Sequence, residues 1–244
     1  MEPSAYLAMA AEQGQHWWFV GRRRILAAMI AHMGLKPSAR LLEVGSGMGG
    51  NLAMLAGFGH VTAVEMDDGA REYSRTQAVG ADVRGGKLPG ELGLGAETFD
   101  LICLFDVLEH VEDDAGALLA LKPHMAPHAR LLLTVPAHPN LFGPHDLELH
   151  HKRRYSRTEL VAKLKAAGFG IERVSYMNAL LLPVAFVLRG LDRLLGRERA
   201  TASGVPAAPV NNSLAALFGA EALVLPKLNL PVGLSLMAVA RLAD

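Results

Sequence analysis

A glycine-rich loop next to a carboxylate is the part of this sequence that could do the most specific chemistry. The apolar run LLEV contains Glu43, and the loop GSGMGG (45–50) follows it directly. Glycines let the backbone turn sharply and approach a ligand closely, and free N–H groups at the start of the next helix favour an anionic group. The spacing also satisfies the GxGxxG pattern, which several classes of nucleotide-binding protein share, so the loop alone predicts only a nucleotide-like cofactor.

Two acidic residues narrow the kind of cofactor. Glu43 precedes the glycines, and a carboxylate aimed at the loop suits a ligand with a positive amino group rather than a pyrophosphate. Glu65 follows the apolar run VTAV, where an acidic side chain can accept hydrogen bonds from both hydroxyls of a ribose. The two acids therefore favour a nucleoside cofactor that carries an amino group.

Histidines supply the candidates for acid–base chemistry. His110 follows the segment DVLE at the end of a predicted strand, and His145 and His150 lie in the polar segment 139–155. A histidine with a pKa near neutrality can take a proton from a hydroxyl nucleophile, although His110 could equally serve to position its loop. His145, Asp146 and His150 are candidates for contact with an acceptor or for the base. No complete set of metal ligands is identifiable, so no metal site is predicted.

An alternation of strands and helices must position these residues. Apolar runs with the length of strands alternate with helical segments at a spacing typical of a mostly parallel sheet covered on both faces. The predicted strands are 39–45, 60–66, 78–83, a strand starting at Phe99, 129–137, 170–176 and 232–242. The sequence therefore predicts an α/β fold with a seven-stranded, mostly parallel sheet and helices on both faces. In such a sheet ligands bind outside the carboxyl ends of the strands, where Glu43, Glu65 and His110 would lie.

Two helical segments flank the predicted core, which comprises residues 35–177 and 231–244. Residues 1–34 are predicted to form a helical lid, whose Trp17 and Trp18 could stack on a planar acceptor or dock the helix on the sheet. Residues 178–230 separate the last two strands and are predicted to form a helical cap that makes the acceptor pocket apolar. Its very apolar stretch needs cover from the sheet domain, from a second subunit in a homodimer, or from a membrane surface.

Composition excludes several classes of function. Of the 244 residues, 24 are Lys or Arg and 24 are Asp or Glu, so no net charge attracts nucleic acid. The single cysteine, Cys103, allows no disulfide within the chain and no cysteine-based zinc site. The sequence has neither a signal peptide pattern nor an apolar run long enough to span a bilayer. A cytoplasmic protein is therefore expected, with peripheral membrane contact as an alternative.

Four segments together resemble the class I S-adenosylmethionine-dependent (SAM-dependent) methyltransferases. They are LLEVGSGMGGN, VTAVEMD, FDLICLFDVLEHVEDD and LLLTVPA, and they occur between Ala39 and Ala137 in the order and spacing of that family. The segments HWWF (16–19) and 139–155 resemble those of a bacterial subgroup close to the ubiquinone-biosynthesis type. The resemblance implies a Rossmann-like fold, SAM as the cofactor and a small molecule as the methyl acceptor.

The resemblance also implies a role for each matching residue. The amino-acid part of SAM would be held by Glu43, Gly45, Ser46, Gly47 and Gly49, the ribose by Glu65 and the adenine by packing on Met66, while Phe105 and Asp106 would line the cofactor. The adenine loop departs from the family's usual Gly-Asp pattern. Either Asp82 or the backbone from Gly86 to Leu88 is therefore expected to contact the adenine.

The function predicted from these features is transfer of a methyl group from SAM to a small, apolar or lipid-like acceptor, at an oxygen atom. Two alternatives stay open. A NAD-dependent oxidoreductase would use the same glycine loop, but Glu43 and the segment DVLEH count against it. A catalytically silent, methyltransferase-like binding module at a membrane would keep the fold without turnover. Nucleic acid is not expected as a substrate, because the sequence contains no broad basic face or recognised binding motif.

Overall fold

One mixed sheet organises the chain. The structure is a computed structural model that describes residues 10, 12–77, 80–182 and 204–243. The strands are β1 (Arg40–Val44), β2 (His60–Glu65), β3 (Ala81–Gly85), β4 (Phe99–Phe105), β5 (Met125–Pro136), β6 (Phe169–Met177) and β7 (Ser235–Leu242). Their order across the sheet is β3-β2-β1-β4-β5-β7-β6, and β7 alone runs antiparallel to its neighbours. The predicted seven-stranded, mostly parallel sheet is confirmed.

The sheet forms where apolar runs allow both of its faces to be covered. Strands β1 and β4 are buried almost throughout, as expected for central strands of a doubly covered sheet. Leu42 and Ile102 point into one hydrophobic layer, whereas their chain neighbours Leu41 and Leu101 point into the other. This alternation follows from the two-residue period of a strand, which sends successive side chains to opposite faces.

Helices fill both layers, as the sequence predicts. The described α-helices are α1 (Trp17–His32), α2 (Leu52–Ala56), α3 (Asp68–Gln77), α4 (Asp114–Leu121), α5 (Pro144–Glu148), α6 (Arg157–Ala166) and α7 (Ala208–Gly219). Side chains of α4 and α6 pack in the layer of Leu42, and those of α1, α2 and α7 pack in the layer of Leu41. The start of α6 follows its sequence signal, since the Ser156 hydroxyl accepts a hydrogen bond from the Glu159 N–H at 3.1 Å.

Strands β3, β5 and β7 begin three or four residues from their predicted starts, and β7 begins at Ser235 rather than Val232. β3 begins at Ala81 rather than Ala78, because its parallel register with β2 pairs Ala81 with Val61. β5 begins at Met125, four residues before the predicted start, where it pairs with Phe99 of β4. Pairing between strands decides where β3 and β5 begin, and a local hydrophobic pattern does not contain that information.

α1 and α7 pack closely against each other although they are far apart in the sequence. The Trp17 and Phe218 rings lie 6.1 Å apart in an edge-to-face arrangement, and the Asn211 side chain accepts a hydrogen bond from the Trp17 N–H at 2.8 Å. A Cβ atom added at Gly21 would lie only 2.6 Å from the Phe218 ring. Glycine at this position therefore permits the close approach of the two helices.

Gly21→Ala is expected to destabilise the protein by about 1–3 kcal/mol, although alanine in a helix normally stabilises by roughly 0.5–1 kcal/mol relative to glycine. The added methyl group must push Phe218 away from α1. Gly14→Ala is the matched control, because no atom lies within 4 Å of its Cβ position. Urea unfolding followed by circular dichroism measures both variants. A free energy of unfolding that stays equal or rises in Gly21→Ala would contradict this packing.

Both flanking segments contribute to the layer that contains Leu41. Trp17 and Trp18 pack against that layer, which favours the interpretation that they dock α1 on the sheet. That residues 1–34 also act as a lid stays a prediction. No helix among the described residues is long and apolar enough to cross a membrane.

The predicted cap (178–230) is described in part, since residues 183–203 lie outside the described ranges. Most of the apolar stretch expected to form its first helix falls there. The predicted second helix corresponds to α7 and a short 3-10 turn after it, but it begins at Ala208 instead of Leu214. Pro209 lies in its first turn, where proline fits the helix without losing a hydrogen bond.

Candidate cofactor and acceptor site

The candidate site lies where the order of the strands reverses. From β1 the chain continues through β2 and β3 on one side and then returns to form β4 on the other side of β1. The loops that follow β1 and β4 therefore diverge and leave a crevice at the carboxyl ends of these strands, where open α/β sheets bind ligands. The glycine loop 45–50 follows β1, and residues 106–110 follow β4.

The glycine loop lies close to the β4 side of the crevice. Gly45 has φ +76°, and a Cβ atom there would lie 2.6 Å from a methyl group of Val107, so a larger residue would separate the two loops. Gly47 has φ +54°, and no atom lies within 4 Å of its Cβ position. Ser46 adds a buried hydroxyl without a hydrogen-bond partner among the described residues. The loop thus offers open space and an unused polar group.

Glu43 is a buried carboxylate with an unused oxygen. The residue is 1% exposed, its Oε1 accepts a hydrogen bond from Asn51 Nδ2 at 2.7 Å, and its Oε2 has no partner in the described part of the chain. Burial raises the pKa of Glu43 to about 7, against the lowering effects of the Asn51 hydrogen bond and of Arg22. A ligand with a positive amino group would compensate this carboxylate. SAM carries such a group, so the residues present fit it.

Glu65 links the end of β2 to the glycine loop. Its carboxylate accepts hydrogen bonds from the N–H groups of Gly47 at 2.7 Å and Asp67 at 2.9 Å. Met66, the next residue, is 68% exposed and so presents an apolar surface on which an adenine ring could pack. Gly86 lies at the same edge, with its N–H 3.4 Å from the Glu65 carbonyl oxygen. Residues of β2 and β3 thus meet where the nucleoside part of the cofactor is expected.

Asp82 lies away from this edge. It is paired with Thr62 near the start of β3, whereas Gly85 is paired with Glu65 at the carboxyl end. Its carboxylate accepts a hydrogen bond from Arg84 at 2.7 Å. The carboxyl ends of the strands form the ligand edge, so the position of Asp82 favours contact of the adenine with backbone at and after Gly86. Both the Asp82 contact and the backbone contact stay predictions.

Arg22 connects α1 to the end of β4. Its guanidinium donates a hydrogen bond to the Asp106 carboxylate and lies 4.4 Å from the centroid of the Trp18 ring. The Arg22 side chain is buried, and its Nε has no partner among the described residues. Asp106 has φ +56° and donates its N–H to the Thr134 carbonyl oxygen, and Phe105 directly before it is buried. The predicted cofactor wall therefore also contains a cation from the N-terminal helix.

The three histidines predicted for catalysis differ in position. His110 ends a 3-10 turn, Leu108–His110, and is exposed at the crevice side of β4. Burial of part of its ring and the neighbouring His151 lower the pKa of His110, so the imidazole is neutral at pH 7. His145 lies in α5, where burial also lowers its pKa. His150 is exposed and follows α5 with φ +58°.

Asp146 holds an ion network under this segment. Its carboxylate accepts hydrogen bonds from Arg154 Nε at 2.8 Å, from His151 Nδ1 at 2.9 Å and from the Gly143 N–H at 3.0 Å. Burial alone would raise the pKa of Asp146, but the hydrogen bonds from His151 and Arg154 outweigh it and lower the pKa to about 2. Asp146 is 1% exposed, which favours a role in positioning His151, and its contact with an acceptor stays a prediction.

Four residues that line this site have no role in the prediction from the sequence: Arg22, Asn51, Glu109 and His151. Arg22 lies just after the HWWF segment and His151 lies in the segment 139–155, both of which resemble the bacterial subgroup. Glu109 stands beside His110 in the segment DVLEH. Which of several adjacent arginines or histidines points inward depends on the backbone of the folded loops, and residue types alone do not contain that information.

Comparisons with known proteins support this fold. The family model described as "Methyltransferase domain" matches residues 10–174. The comparison with curated proteins finds no match. Among solved structures, the chain resembles one in the complex between the Haloferax volcanii Trm112 methyltransferase activator and a methyltransferase, with TM-score 0.63, 14% identity and coverage of 96% of this chain and 93% of that chain.

Two further solved structures illustrate how widely this fold is used. The cyclase SpnF matches with TM-score 0.58 and 17% identity over 90% of this chain and 81% of that chain. Phosphoethanolamine N-methyltransferase 2 of Haemonchus contortus, solved in complex with S-adenosyl-L-methionine, matches with TM-score 0.58 and 14% identity over 90% of this chain and 52% of that chain. Identities this low show the fold alone.

The family match covers more than half of the chain and includes Glu43, the glycine loop and Glu65. The bacterial subgroup of the ubiquinone-biosynthesis type stays a prediction. Three observations are consistent with SAM as the cofactor: the carboxylate of Glu43 with its unused oxygen, the open space at Gly47 and the family match. The chain therefore belongs to the methyltransferase domain family and is a SAM-dependent methyltransferase with a Rossmann-like fold.

Proposed function

We propose that this enzyme transfers the methyl group of SAM to a hydroxyl oxygen of a small, apolar acceptor. The observation that carries the choice of oxygen is His110, an exposed and neutral imidazole directly after the β4 wall of the crevice. A neutral histidine can take the proton that a hydroxyl group loses when its oxygen is methylated. The N-methyltransferase among the structural neighbours shares only the fold, so it does not select the acceptor atom.

In this proposal the cofactor lies along the carboxyl edge of β1, β2 and β4. Glu43, Ser46, Gly47 and Gly49 would hold its amino-acid part, Glu65 the ribose, and Met66 with backbone near Gly86 the adenine. Gly45 keeps the loop close to β4, and Phe105 with Asp106 would form the opposite wall. Bound SAM supplies an activated methyl group on a positively charged sulfur.

The chain's own contribution to the reaction is orientation and proton transfer. Methyl transfer is an in-line displacement, so a large part of the rate enhancement comes from holding the acceptor oxygen behind the methyl group. His110 would take the hydroxyl proton, while His145 and His150 would contact the acceptor. The Arg22–Asp106 ion pair would keep the β4 wall in place from the side of α1.

The apolar character of the acceptor is supported by the described parts of the cap. Leu180, Leu217, Leu223 and Leu228 are all exposed large apolar side chains in the segment 178–230. Such side chains suit a pocket lid for an apolar or lipid-like acceptor. A homodimer interface and a peripheral membrane contact are the alternative uses of the same surface.

The expected result of His110→Asn is a loss of at least tenfold in the rate of methyl transfer, with SAM affinity within about twofold of wild type. The assay uses SAM with a radiolabelled methyl group and small-molecule and lipid extracts as the source of acceptor. His60→Asn is the matched control, because His60 is exposed at the amino end of β2, the opposite edge of the sheet.

Two outcomes would count against this proposal. An unchanged rate in His110→Asn would remove the histidine from the reaction. Tight SAM binding without any labelled product from such extracts would favour a catalytically silent binding module. A calorimetric titration with NAD in place of SAM tests the alternative of a NAD-dependent oxidoreductase, because that hypothesis requires NAD to bind more tightly than SAM.

A further inference from the structure

Glu109, His110 and His151 form a cluster of potential metal ligands beside the candidate site, here called the Glu109 cluster. Glu109 and His110 lie in the 3-10 turn after β4, and His151 follows α5. The Lys152 N–H donates to the Glu109 carbonyl oxygen at 2.8 Å and holds the two segments side by side. One nitrogen or oxygen atom from each of the three side chains lies within 4.8 Å of the other two.

Glu109 is the unusual member of the cluster because its carboxylate is fully buried and no other described residue donates a hydrogen bond to it. The residue is 0% exposed, and neither carboxylate oxygen accepts a hydrogen bond from another described residue. An ionised carboxylate in such a place is costly unless a cation lies next to it. A bound divalent cation would provide that compensation.

His151 has the orientation typical of a metal-binding histidine. Its Nδ1 donates to the ionised Asp146 carboxylate at 2.9 Å, and metal-binding histidines usually donate their second ring nitrogen to a carboxylate or a carbonyl in this way. This hydrogen bond fixes the ring and leaves Nε2, 3.9 Å from a Glu109 oxygen, with a free lone pair. The His110 ring lies edge-to-face against His151, with 4.8 Å between centroids.

We propose that the Glu109 cluster binds one divalent transition-metal cation of the Zn²⁺ type through a Glu109 oxygen and one nitrogen each of His110 and His151. Two histidines and one carboxylate are an established kind of ligand set for Zn²⁺, and three protein ligands leave a fourth position open. Tetrahedral ligands at roughly 2.1 Å from Zn²⁺ lie about 3.4 Å apart. The cluster must therefore contract, and the exposed ring of His110 can turn inward to do so.

The catalytic role of such a cation rests on the proposed function, whereas cation binding itself does not. An acceptor hydroxyl at the open position would have a lower pKa and would release its proton to water before its oxygen attacks the methyl group. His110 would then serve as a metal ligand instead of the base. Only the O–H bond of the acceptor is broken by this step, and no oxidant or reductant is needed.

The experiment measures cation binding by the full-length chain, prepared without a histidine tag and dialysed against a chelator. Calorimetric titration with zinc chloride is expected to give one site per chain, and Co²⁺ is expected to give the visible absorption of a tetrahedral site. Glu109→Gln preserves the shape of the side chain and removes its charge, so Zn²⁺ affinity should fall at least tenfold. Asp146→Asn should lower it roughly 10- to 100-fold. His60→Ala is the matched control and should bind Zn²⁺ like wild type, because His60 is exposed at the opposite edge of the sheet.

Equal Zn²⁺ affinity in wild type and Glu109→Gln would overturn the proposal, and so would a folded wild-type protein without a binding isotherm. Thermal unfolding gives a second readout, because a given Zn²⁺ concentration should raise the Tm of wild type more than that of Glu109→Gln. SAM titrations of the same samples separate the two proposals. SAM binding without Zn²⁺ binding rejects the cation site alone, and Zn²⁺ binding without SAM binding rejects the cofactor assignment alone.

Discussion

SAM is expected to bind roughly 15- to 20-fold more weakly at about pH 5.5 than at about pH 7.5, chiefly because of a single carboxyl group. Burial raises the pKa of Glu43 to about 7 in the free protein. Below that pH Glu43 is mostly protonated, and the ammonium group of the cofactor can pair with it only after the proton has left. The affinity therefore falls as the pH falls through about 7 and levels off above it. An α-amino group has a pKa of about 7.7–8.0, so the cofactor stays mostly positive over this range.

Glu43→Gln tests this origin of the pH dependence. Glutamine keeps the size of the side chain but carries no charge, so SAM affinity should be low and nearly constant between the two pH values. Glu91→Gln, at an exposed loop position, should keep the wild-type dependence. Calorimetry in two buffers of different ionisation enthalpy measures the proton released on binding. Equal affinities at both pH values in wild type, with no proton released, would rule out a pairing of the ammonium group with Glu43.

Arg154→Met is expected to lower the free energy of unfolding by about 3–5 kcal/mol. The Arg154 guanidinium is buried and donates to both oxygens of Asp146, at 2.8 and 2.9 Å, and to the Ala137 carbonyl oxygen at 3.3 Å. Methionine would fill much of the same space but leave the Asp146 charge buried without its main partner. Breaking one side of a buried ion pair costs far more than removing an exposed charge.

Urea unfolding at neutral pH measures this change in the free energy of unfolding. A control variant and a double variant test whether the change comes from the buried ion pair. Arg157→Met is the matched control, because Arg157 is exposed at the start of α6 and should change stability by no more than about 0.5 kcal/mol. The double variant Asp146→Asn with Arg154→Met should lose much less than the sum of the single changes, since the uncompensated charge is absent. Additive losses would mean that the two residues stabilise the fold independently.

The Asp146 network also relates the fold to the Glu109 cluster. Asp146 is held by Arg154 and in turn orients His151 towards Glu109. A change at Arg154 is therefore expected to weaken Zn²⁺ binding as well as stability, and Asp146→Asn, which breaks the same ion pair, needs a measurement of its stability beside each metal titration. Buried charges that are fully paired commonly specify one arrangement of side chains in this manner.

The sequence by itself determined the sheet and the cofactor. Apolar runs of strand length that alternate with helices favour a mostly parallel sheet covered on both faces, because such strands must be buried on both sides. In that sheet the loops after β1, β2 and β4 lie at one edge. Glu43, the glycine loop and Glu65 are adjacent to these strand ends in the chain. Their positions in the site therefore follow once the strands are recognised.

The tertiary structure alone decided which polar side chains enter the site. Asp82 and Gly86 lie in the same short segment, yet Asp82 is paired with Thr62 inside the sheet, whereas the Gly86 N–H donates to the Glu65 carbonyl oxygen at the carboxyl end of β2. Among the histidines of the segment 139–155, His151 forms a hydrogen bond with Asp146 that fixes its ring. The side chain of Arg22 in α1 forms an ion pair with Asp106. Some of these contacts join residues that are far apart in the chain. Others depend on which of two neighbouring residues in a loop points towards the site. Their geometry depends on strand register and loop conformation, which local residue patterns do not encode.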